Sequence, residues 1–352
     1  MIDVGLIGFG LAGHYFHAPI IAAVPGLRLA AILQRSGTEA ALLYPNTRII
    51  RTIEEMLSME QIRLIVIATP NETHVPLARL CLTAGRDVVV DKPFAPTLAE
   101  SEELVKLAAE KNRLLAVYHN RRWDADFQAI HKLVSEGALG RITLFETNYD
   151  RYRPRLKANA WRERSGPGSG IFFDIGPHLI DQALQLFGTP EALYADLRIE
   201  RDEGVVDDSF DVVMYYPQGL RAVLRSSIMA VVPRPRFILH GSRGSFRKEL
   251  IDPLEGMLRR GELPEGESWN VEPESNWGLA TFVRDEEVVQ ERIPSQGDWR
   301  SFYAGVRDAI LGTAPPPVTT KQILDVMRAI ELAQESSRLG KKLPWPNRSD
   351  IS

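Results

Sequence analysis

Residues 4–13 read VGLIGFGLAG, an apolar run followed at once by glycines in the spacing G-x-G-x-x-G. The run is typical of a buried strand, and the glycine spacing is typical of the turn that leads from such a strand into a helix. In that turn the first glycine permits the sharp bend, the second lets a pyrophosphate approach the backbone, and the third lets helix and strand pack closely. The helix N-terminus offers unpaired N–H groups to the phosphates. We therefore predict a dinucleotide site formed by Gly8, Phe9, Gly10, Leu11, Ala12 and Gly13.

Around this turn, short apolar runs alternate with helical patterns as far as residue 120. Such alternation is typical of a parallel sheet that carries helices on both faces. Strands are predicted at residues 4–7, 29–33, 64–68, 88–90 and 114–118. Helices are predicted at residues 12–24, 53–59, 75–84 and 98–111. Pro19 falls inside the first helical pattern and is expected to interrupt it.

The pattern changes after residue 121, where short turns such as residues 217–219 favour antiparallel pairing. Strands are predicted at residues 141–149, 195–201, 209–216, 220–229 and 237–240. Helices are predicted at residues 126–136, 177–187 and 320–339. Residues 252–276 are rich in Gly, Pro and Glu, and we expect them to loop over the surface.

These patterns predict an α/β fold with two domains in a chain of 352 residues. Residues 1–121 are expected to form an N-terminal Rossmann domain, a doubly wound parallel sheet that binds the cofactor. Residues 122–352 are expected to form a C-terminal α+β domain built on an open, mostly antiparallel sheet. Because helices can cover only one face of that sheet, its other face is predicted to pack against a second copy, as a homodimer or homotetramer. The residues assigned to that face are Val212, Met214, Val223, Arg225 and Ser227.

Composition excludes several classes of function. Lys and Arg number 42 against 46 Asp and Glu, and a net charge of −4 argues against a nucleic-acid-binding protein. The single cysteine, Cys81, cannot form an internal disulfide, which favours a reducing, cytoplasmic setting. No apolar run approaches the roughly 18 residues that a membrane span needs. Scattered histidines and one cysteine also argue against a metal site.

The second predicted strand bears on the choice of cofactor. Enzymes that use NAD typically place Asp or Glu at the end of this strand, where it binds the ribose 2′-hydroxyl. Here the strand ends in Gln34, Arg35 and Ser36. A guanidinium and a hydroxyl suit a 2′-phosphate, so Arg35 and Ser36 predict NADP in preference to NAD. Arg35 as a plain solvated turn residue is the alternative.

Three polar clusters follow the ends of predicted parallel strands, where ligands bind in such sheets. The clusters are Thr69, Pro70, Asn71 and His74; Asp91, Lys92 and Pro93; and His119, Asn120 and Arg121. Taken singly they can be helix starts and surface turns, but they are expected at one edge beside the glycine turn, so we predict that they bind the cofactor. Lys92 is also the candidate general acid or base.

The second half supplies a carboxylate and an imidazole. Asp174 and His178 lie four residues apart, so in a helix they share one face, with Pro177 suited to its first turn. A carboxylate that orients an imidazole is common in proton transfer, although a capped helix with a core histidine is the alternative. The Arg-rich stretch at residues 151–164 is either a solvated loop or a contact to cofactor phosphates. Its candidate cofactor residues are Trp161 and Arg162, and candidate substrate residues, besides Lys92, Asp174 and His178, are Tyr149, Arg153 and Asn159.

Together these motifs resemble the Gfo/Idh/MocA oxidoreductase family, although Asp91 stands where that family usually has Glu before Lys-Pro. Further segments resemble its NADP-dependent scyllo-inositol dehydrogenases. They are residues 89–94, 118–124, 166–170, 177–182 and 240–245. The resemblance implies hydride transfer between NADP and a secondary alcohol of a cyclic polyol or sugar, with Lys92, Asp174 and His178 catalytic and a cis Lys92–Pro93 bond. The alternatives are a dehydrogenase or reductase for a non-sugar substrate, and an NADP-sensing protein without turnover.

Overall fold

The computed structural model of this chain describes residues 1–156, 163–166, 168–266 and 269–346. The chain divides into two compact units, and each is built from three separate segments. The first unit comprises Met1–Trp123, Pro253–Trp269 and Asp298–Leu324. The second comprises Asp124–Asp252, Asn270–Gly297 and Asp325–Ser352.

Two sheets form the framework. The first is six-stranded: β1 (Ile2–Ile7), β2 (Leu27–Leu33), β3 (Arg48–Ile50), β4 (Ile62–Ile67), β5 (Asp87–Val90) and β6 (Leu115–Val117). The second is nine-stranded: β7 (Ile142–Asn148), β8 (Ala192–Arg198), β9 (Ser209–Tyr215), β10 (Arg221–Ser227), β11 (Phe237–Gly241), β12 (Gly244–Lys248), β13 (Gly278–Arg284), β14 (Glu287–Ile293) and β15 (Leu343–Pro344).

The structure describes ten α-helices. They are α1 (Ala18–Ala23), α2 (Glu39–Leu43), α3 (Ile53–Ser58), α4 (His74–Thr83), α5 (Leu98–Glu110), α6 (Ala125–Ser135), α7 (Gly170–Phe187), α8 (Leu254–Arg259), α9 (Arg300–Ile310) and α10 (Thr320–Leu339). In the part of the chain that the structure describes, no helix has the length and apolar character needed to cross a bilayer.

The six-stranded sheet is entirely parallel, in the order β3-β2-β1-β4-β5-β6, which is the strand order of a Rossmann fold. Its strands are buried almost throughout, which explains their continuous runs of Val, Ile and Leu. The last residues of the central strands lie side by side: Ile7 pairs with Ile67, Ile67 with Val90, and Val90 with Val117. The glycine turn and the three polar clusters therefore follow one edge of the sheet, as predicted.

The helix after the glycine turn is interrupted near Pro19, as predicted. A π-helical turn at Gly13–His17 comes first, and α1 then begins with Pro19 in its opening turn. Proline has no N–H to give to the preceding turn, so it is tolerated at a helix start but not inside one. The π turn accommodates one more residue than an α-helical turn, and it ends before the helix that contains Pro19 begins.

The nine-stranded sheet is mostly antiparallel, as predicted, with β7 and β10 as its parallel pair among the registers described. One face is covered by α7, whose Phe172 packs edge-on against Phe210 of β9. Val212 and Met214 belong to this covered face and are fully buried, so their assignment to the outer face was wrong. Strand residues alternate between faces, and these two share the parity of Phe210.

Two other expectations fail locally. Helix α7 begins at Gly170, so Pro177 lies inside it and not in its first turn. Residues 252–276 do not simply loop over the surface, because they include α8 and bury Leu254, Leu258 and Glu272. Glu272 is held by Lys248 of β12 at 2.7 Å, and both side chains have no exposed surface. A buried ion pair of this kind ties the segment to the sheet, although its charged composition suggested solvent.

Candidate functional site

The glycine turn has the geometry that a dinucleotide needs. Gly8 has φ +97°, a left-handed conformation that favours glycine, and a Cβ there would collide with the carbonyl oxygen of Ala68. A Cβ on Gly13 would collide with the carbonyl oxygen of Gly8. A Cβ on Gly10, in contrast, would meet nothing within 4 Å. The space beside Gly10 and the π-helical start at Gly13 fit a pyrophosphate held by main-chain N–H groups.

Aromatic side chains flank this turn. Phe9 stacks on the ring of His14 at 5.0 Å and meets Tyr44 edge-on at 6.1 Å. Burial lowers the pKa of His14, and the Glu39 carboxylate opposes that shift. Leu11 is exposed and Ala12 is half-buried. The predicted cofactor residues of the turn thus form one wall that combines apolar rings with main-chain donors.

The turn after β2 is organised by residues that the sequence analysis did not select. Arg51, which follows β3, donates from Nη1 to the carbonyl oxygens of Gln34 at 2.6 Å and Gly37 at 3.1 Å. Gln34 is buried and donates from Nε2 to the Glu39 carboxylate at 2.5 Å. Arg35 and Ser36, which lie between these anchored residues, are exposed. A second guanidinium therefore lies next to the turn that is expected to discriminate between cofactors.

His74 links two of the polar clusters. Its Nδ1 lies 2.9 Å from the carbonyl oxygen of Pro93, and its Nε2 lies 2.9 Å from that of Thr69. Burial lowers the pKa of His74, against the opposing effects of the Asp91 carboxylate and the two carbonyls. Both ring nitrogens face main chain, so His74 holds the segment after β4 to the segment after β5. Its neighbour Asn71 is also buried.

The Asp91-Lys92-Pro93 turn follows β5, and its Lys92–Pro93 bond is cis, as the resemblance implied. The Asp91 carboxylate accepts a hydrogen bond from the Lys92 main-chain N–H at 2.8 Å. Burial alone would raise the pKa of Asp91, but His17, Lys92 and His74 outweigh it and hold that pKa below its ordinary value. Asp91 is therefore ionised, and its charge lies next to the backbone of the half-exposed Lys92.

The third cluster is more deeply set than a polar strand end would suggest. His119, Asn120 and Arg121 are all buried. The Arg121 guanidinium donates from Nη2 to Glu255 at 2.5 Å, and its Cζ lies 6.0 Å from the centre of the Trp299 ring. Arg121 therefore ties the end of β6 to α8 and to the residue that precedes α9.

In the second unit, the mostly apolar helix α7 carries a polar stripe along one face. Asp174 and His178 both lie in α7 and share one face, and Gln182 continues that face one turn further. Gln182 accepts a hydrogen bond from Arg236 Nη2 at 3.0 Å, and Arg236 Nε lies 3.3 Å from Asp126 Oδ2. His178, Gln182 and Arg236 are buried, whereas Asp174 is half-exposed. The stripe thus leads from a partly open carboxylate to a fully buried guanidinium.

The predicted substrate residues have different surroundings. Tyr149 is buried beside the end of β7, with the guanidinium carbon of Arg236 5.5 Å from its ring centre. Arg153 is exposed, and its main-chain N–H donates to the Ile228 carbonyl at 2.7 Å. Three predicted residues lie outside the described part of the chain: Asn159, Trp161 and Arg162.

Sequence reasoning overlooked four residues that organise these sites: His17, Arg51, Gln182 and Arg236. For Gln182 a signal was available, because Asp174, His178 and Gln182 recur every four residues in a mostly apolar helix. Arg51 follows β3 and Arg236 precedes β11, and neither belongs to a local sequence pattern. Their partners come from other parts of the chain, so spacing alone does not identify them.

Comparison with known proteins agrees with this geometry. Residues 2–119 match the oxidoreductase family with an NAD-binding Rossmann fold, and residues 127–247 match the Gfo/Idh/MocA C-terminal domain. The chain belongs to the Gfo/Idh/MocA oxidoreductase family. The resemblance inferred from the motifs is therefore confirmed, and so is the predicted fold class.

Relatives in this family match along nearly the whole chain. The uncharacterised oxidoreductase YdgJ of Escherichia coli (strain K12) is 43% identical over 96% of this chain and 96% of its own. The scyllo-inositol 2-dehydrogenase (NADP(+)) IolW of Bacillus subtilis (strain 168) is 37% identical over 96% of this chain and 94% of its own. The solved structure of YPO2259 from Yersinia pestis is 41% identical with a TM-score of 0.93, covering 99% of this chain and 98% of that chain. That of yvaA from Bacillus subtilis is 36% identical with a TM-score of 0.94, covering 98% of both chains.

Proposed function

We propose that this oxidoreductase is an NADP-dependent dehydrogenase that acts on a secondary alcohol of a cyclic polyol or sugar, of which scyllo-inositol is the leading example. The observation that carries the proposal is the turn after β2, where Arg35 and Ser36 are exposed and Arg51 lies alongside. Such a turn suits a 2′-phosphate. The similarity of the whole chain to IolW, an NADP(+) enzyme by name, supports both the proposed cofactor and the proposed substrate class.

The first unit would hold the dinucleotide. The backbone at Gly8, Gly10 and Gly13 would receive the pyrophosphate, and Arg35 with Ser36 would bind the 2′-phosphate. When bound, the cofactor supplies the hydride acceptor at its nicotinamide ring. Lys92 follows β5 at the edge of the sheet that carries the glycine turn, and in this proposal it handles the proton of the alcohol.

In the second unit, His178 is the other proposed proton-transfer residue. Asp174 lies one helical turn earlier on the same face, and in this proposal it orients the imidazole. Lys92 and His178 are both assigned to proton transfer. The pH dependence of kcat distinguishes them, because it should be lost in the variant of whichever residue takes the hydroxyl proton directly.

One carboxylate favours NAD as a second candidate cofactor. Glu39, at the start of α2, lies beside the turn, and a hydrogen bond from its own backbone together with Gln34 holds the pKa of its carboxyl low. An ionised acid near this turn could bind a ribose hydroxyl. In the structure the Gln34 amide occupies Glu39 Oε2, which weakens this alternative.

A substrate panel tests the proposal. The purified protein is mixed with NADP or NAD and with scyllo-inositol, myo-inositol, glucose or an acyclic polyol, and reduced nicotinamide is followed by its absorbance. We expect NADP reduction with a cyclic polyol, and loss of roughly 10²–10⁴-fold in kcat for Lys92→Met and His178→Ala. Arg79→Ala, an exposed change on α4, is the matched control.

Each other outcome has a defined meaning. Turnover of only acyclic or non-sugar compounds would replace the substrate class. Tight NADPH binding without turnover of any alcohol or carbonyl would favour the sensing protein instead. A clear preference for NAD would contradict the role given to Arg35.

A further inference from the structure

The proposed chemistry does not use His17, one of the buried histidines of the first unit. His17 has no exposed surface and ends the π-helical turn that joins the glycine turn to α1. The Ala18 N–H donates to the carbonyl oxygen of Gly13, five residues earlier, which is the widened pattern of a π turn. Such turns are rare and occur frequently at functional sites. Here the widening lets His17 reach the segment after β5.

The His17 ring is held on both sides. Its Nδ1 lies 2.5 Å from the hydroxyl oxygen of Tyr303, and its Nε2 lies 3.8 Å from Asp91 Oδ2. Tyr303 belongs to α9, is fully buried, and its pKa is raised well above the ordinary value by that burial. The face of the His17 ring packs on Tyr118 at 4.2 Å. The imidazole therefore has one position and one orientation.

The protonation of this ring follows from its partners. Tyr303 keeps its hydroxyl proton, so it can donate to Nδ1, and a ring that accepts at Nδ1 carries its proton on Nε2. A doubly protonated ring carries a proton on Nε2 as well. Nε2 is the ring nitrogen near the Asp91 carboxylate, at 3.8 Å, an electrostatic contact longer than a hydrogen bond. A proton on Nε2 favours the ionised carboxylate.

The Asp91 carboxylate connects the His17 ring to the Lys92 backbone. One carboxylate oxygen faces His17, and the other accepts the Lys92 main-chain N–H at 2.8 Å. The Asp91 side chain is only 14% exposed, so the protein, more than water, sets its orientation. A chain of contacts thus runs from α9 to the backbone of the proposed proton-transfer residue.

We propose that His17, held by Tyr303, is a positioning residue that fixes the Asp91 carboxylate and, through it, the turn that presents Lys92. This inference rests on the proposed function, because it concerns the residue assigned to proton transfer there. His17 acts only through Asp91. Its loss should therefore lower kcat and leave the affinity for the substrate largely unchanged.

Four variants test the contact. His17→Leu and Tyr303→Phe each break the chain of contacts, and His17→Gln keeps an amide N–H that can reach Asp91. Tyr118→Phe is the matched control: it also removes a hydroxyl from a buried ring beside His17, but that hydroxyl donates to the Phe16 carbonyl at 2.9 Å. We expect kcat to fall about tenfold in His17→Leu and Tyr303→Phe, with KM changed less than about twofold. His17→Gln and Tyr118→Phe should keep most of the wild-type rate.

The pH profile separates positioning from loss of structure. The titratable groups that face Asp91 are His17 of the π turn, His74 of α4, Lys92 of its own turn and Tyr303 of α9. The His17 ring lowers the pKa of Asp91, so that pKa should rise in His17→Leu. The acid limb of the kcat profile should then move to higher pH. Partial unfolding would lower kcat at every pH and leave the limb in place.

A measurement without turnover separates this inference from the proposed function. The carboxyl ¹³C resonance of Asp91 is titrated by NMR in the wild type and in the variants. We expect a higher midpoint in His17→Leu and Tyr303→Phe, and an unchanged one in Tyr118→Phe. If the wild type turns over no substrate, the proposed function fails while the titration still decides the contact. Equal midpoints in all variants would overturn the inference, and so would an equal loss of kcat in both tyrosine variants.

Discussion

Two arginines at the turn after β2 have different relations to a cofactor. The Arg35 side chain is exposed, whereas Arg51 donates to the main-chain carbonyls of Gln34 and Gly37. A residue that binds the 2′-phosphate discriminates between NADP and NAD. A residue that supports the backbone of the turn affects both cofactors. The two roles can therefore be separated by measuring both affinities.

For Arg35→Ala we expect NADPH binding to weaken by roughly ten- to more than a hundred-fold, since a hydrogen bond to a charged group contributes about 1.5–3 kcal/mol. NADH binding should stay nearly unchanged. Ser36→Asp should weaken NADPH further by repulsion. Arg51→Ala should weaken both cofactors by similar factors. Fluorescence titration with each reduced cofactor measures these affinities, with Arg79→Ala as the control, and equal losses in Arg35→Ala would show that Arg35 only stacks on the adenine.

At the scale of elements, α7 receives its N-terminal support from another segment. Ser169 precedes the helix but makes no side-chain capping bond. Asp207, in the loop before β9, accepts the Ile171 N–H with its carbonyl at 2.8 Å and the Phe172 N–H with its carboxylate at 2.6 Å. The helix that carries Asp174 and His178 therefore depends on a residue more than 30 positions away.

This support is sensitive to pH. Burial raises the pKa of Asp207 from 3.8 to about 6, despite the helix N–H groups that lower it. The folded state thus binds this proton more tightly than the unfolded chain. Its contribution to stability is full below about pH 3.8 and is lost as the pH rises through about 6.

Asp207→Asn should remove that dependence. We expect the free energy of unfolding of the wild type to fall, relative to Asp207→Asn, as the pH rises from 4 to 7. Urea denaturation at several pH values measures it, with the exposed Asp202→Asn as the control. A constant difference between wild type and Asp207→Asn across this range would contradict the prediction.

The outer face of the nine-stranded sheet combines apolar and charged side chains. Partly exposed apolar residues such as Leu144 and Val213 lie there beside a charged row. In that row Arg225 binds Asp211 at 2.8 Å and Glu146 at 3.3 Å. A face of mixed polarity with internally paired charges suits an interface between copies of the chain, so a homodimer or homotetramer remains our expectation.

Arg225→Glu tests this expectation. It would place a third carboxylate beside Asp211 and Glu146, and like charges in a partly buried row repel. We expect light scattering to give a dimer or larger for the wild type and a smaller species for Arg225→Glu. Glu110→Lys, an exposed charge reversal on α5, should not change the assembly. A monomeric wild type at micromolar concentration would contradict the prediction.

Local patterns explain why much of the fold was predictable. The glycine spacing after β1 and the start of α5 are each set by residues within a few positions of each other, and at α5 the Thr97 side chain accepts the Glu100 N–H. Helix α10 occupies the predicted residues 320–339 because its ends are marked by prolines and a glycine. The short elements α2 and β3 were missed, since five and three residues carry too little periodicity.

The parallel sheet, its glycine turn and the edge on which three polar clusters meet were predictable from local sequence, because strand burial and turn chemistry are local properties. The residues that organise those clusters become visible only in the folded chain. His17 meets a hydroxyl 286 positions away, and Arg236 meets Asp126 across 110 positions. Contacts of such separation leave no period in the sequence, because their partners are selected by chain topology and by the need to satisfy buried polar groups.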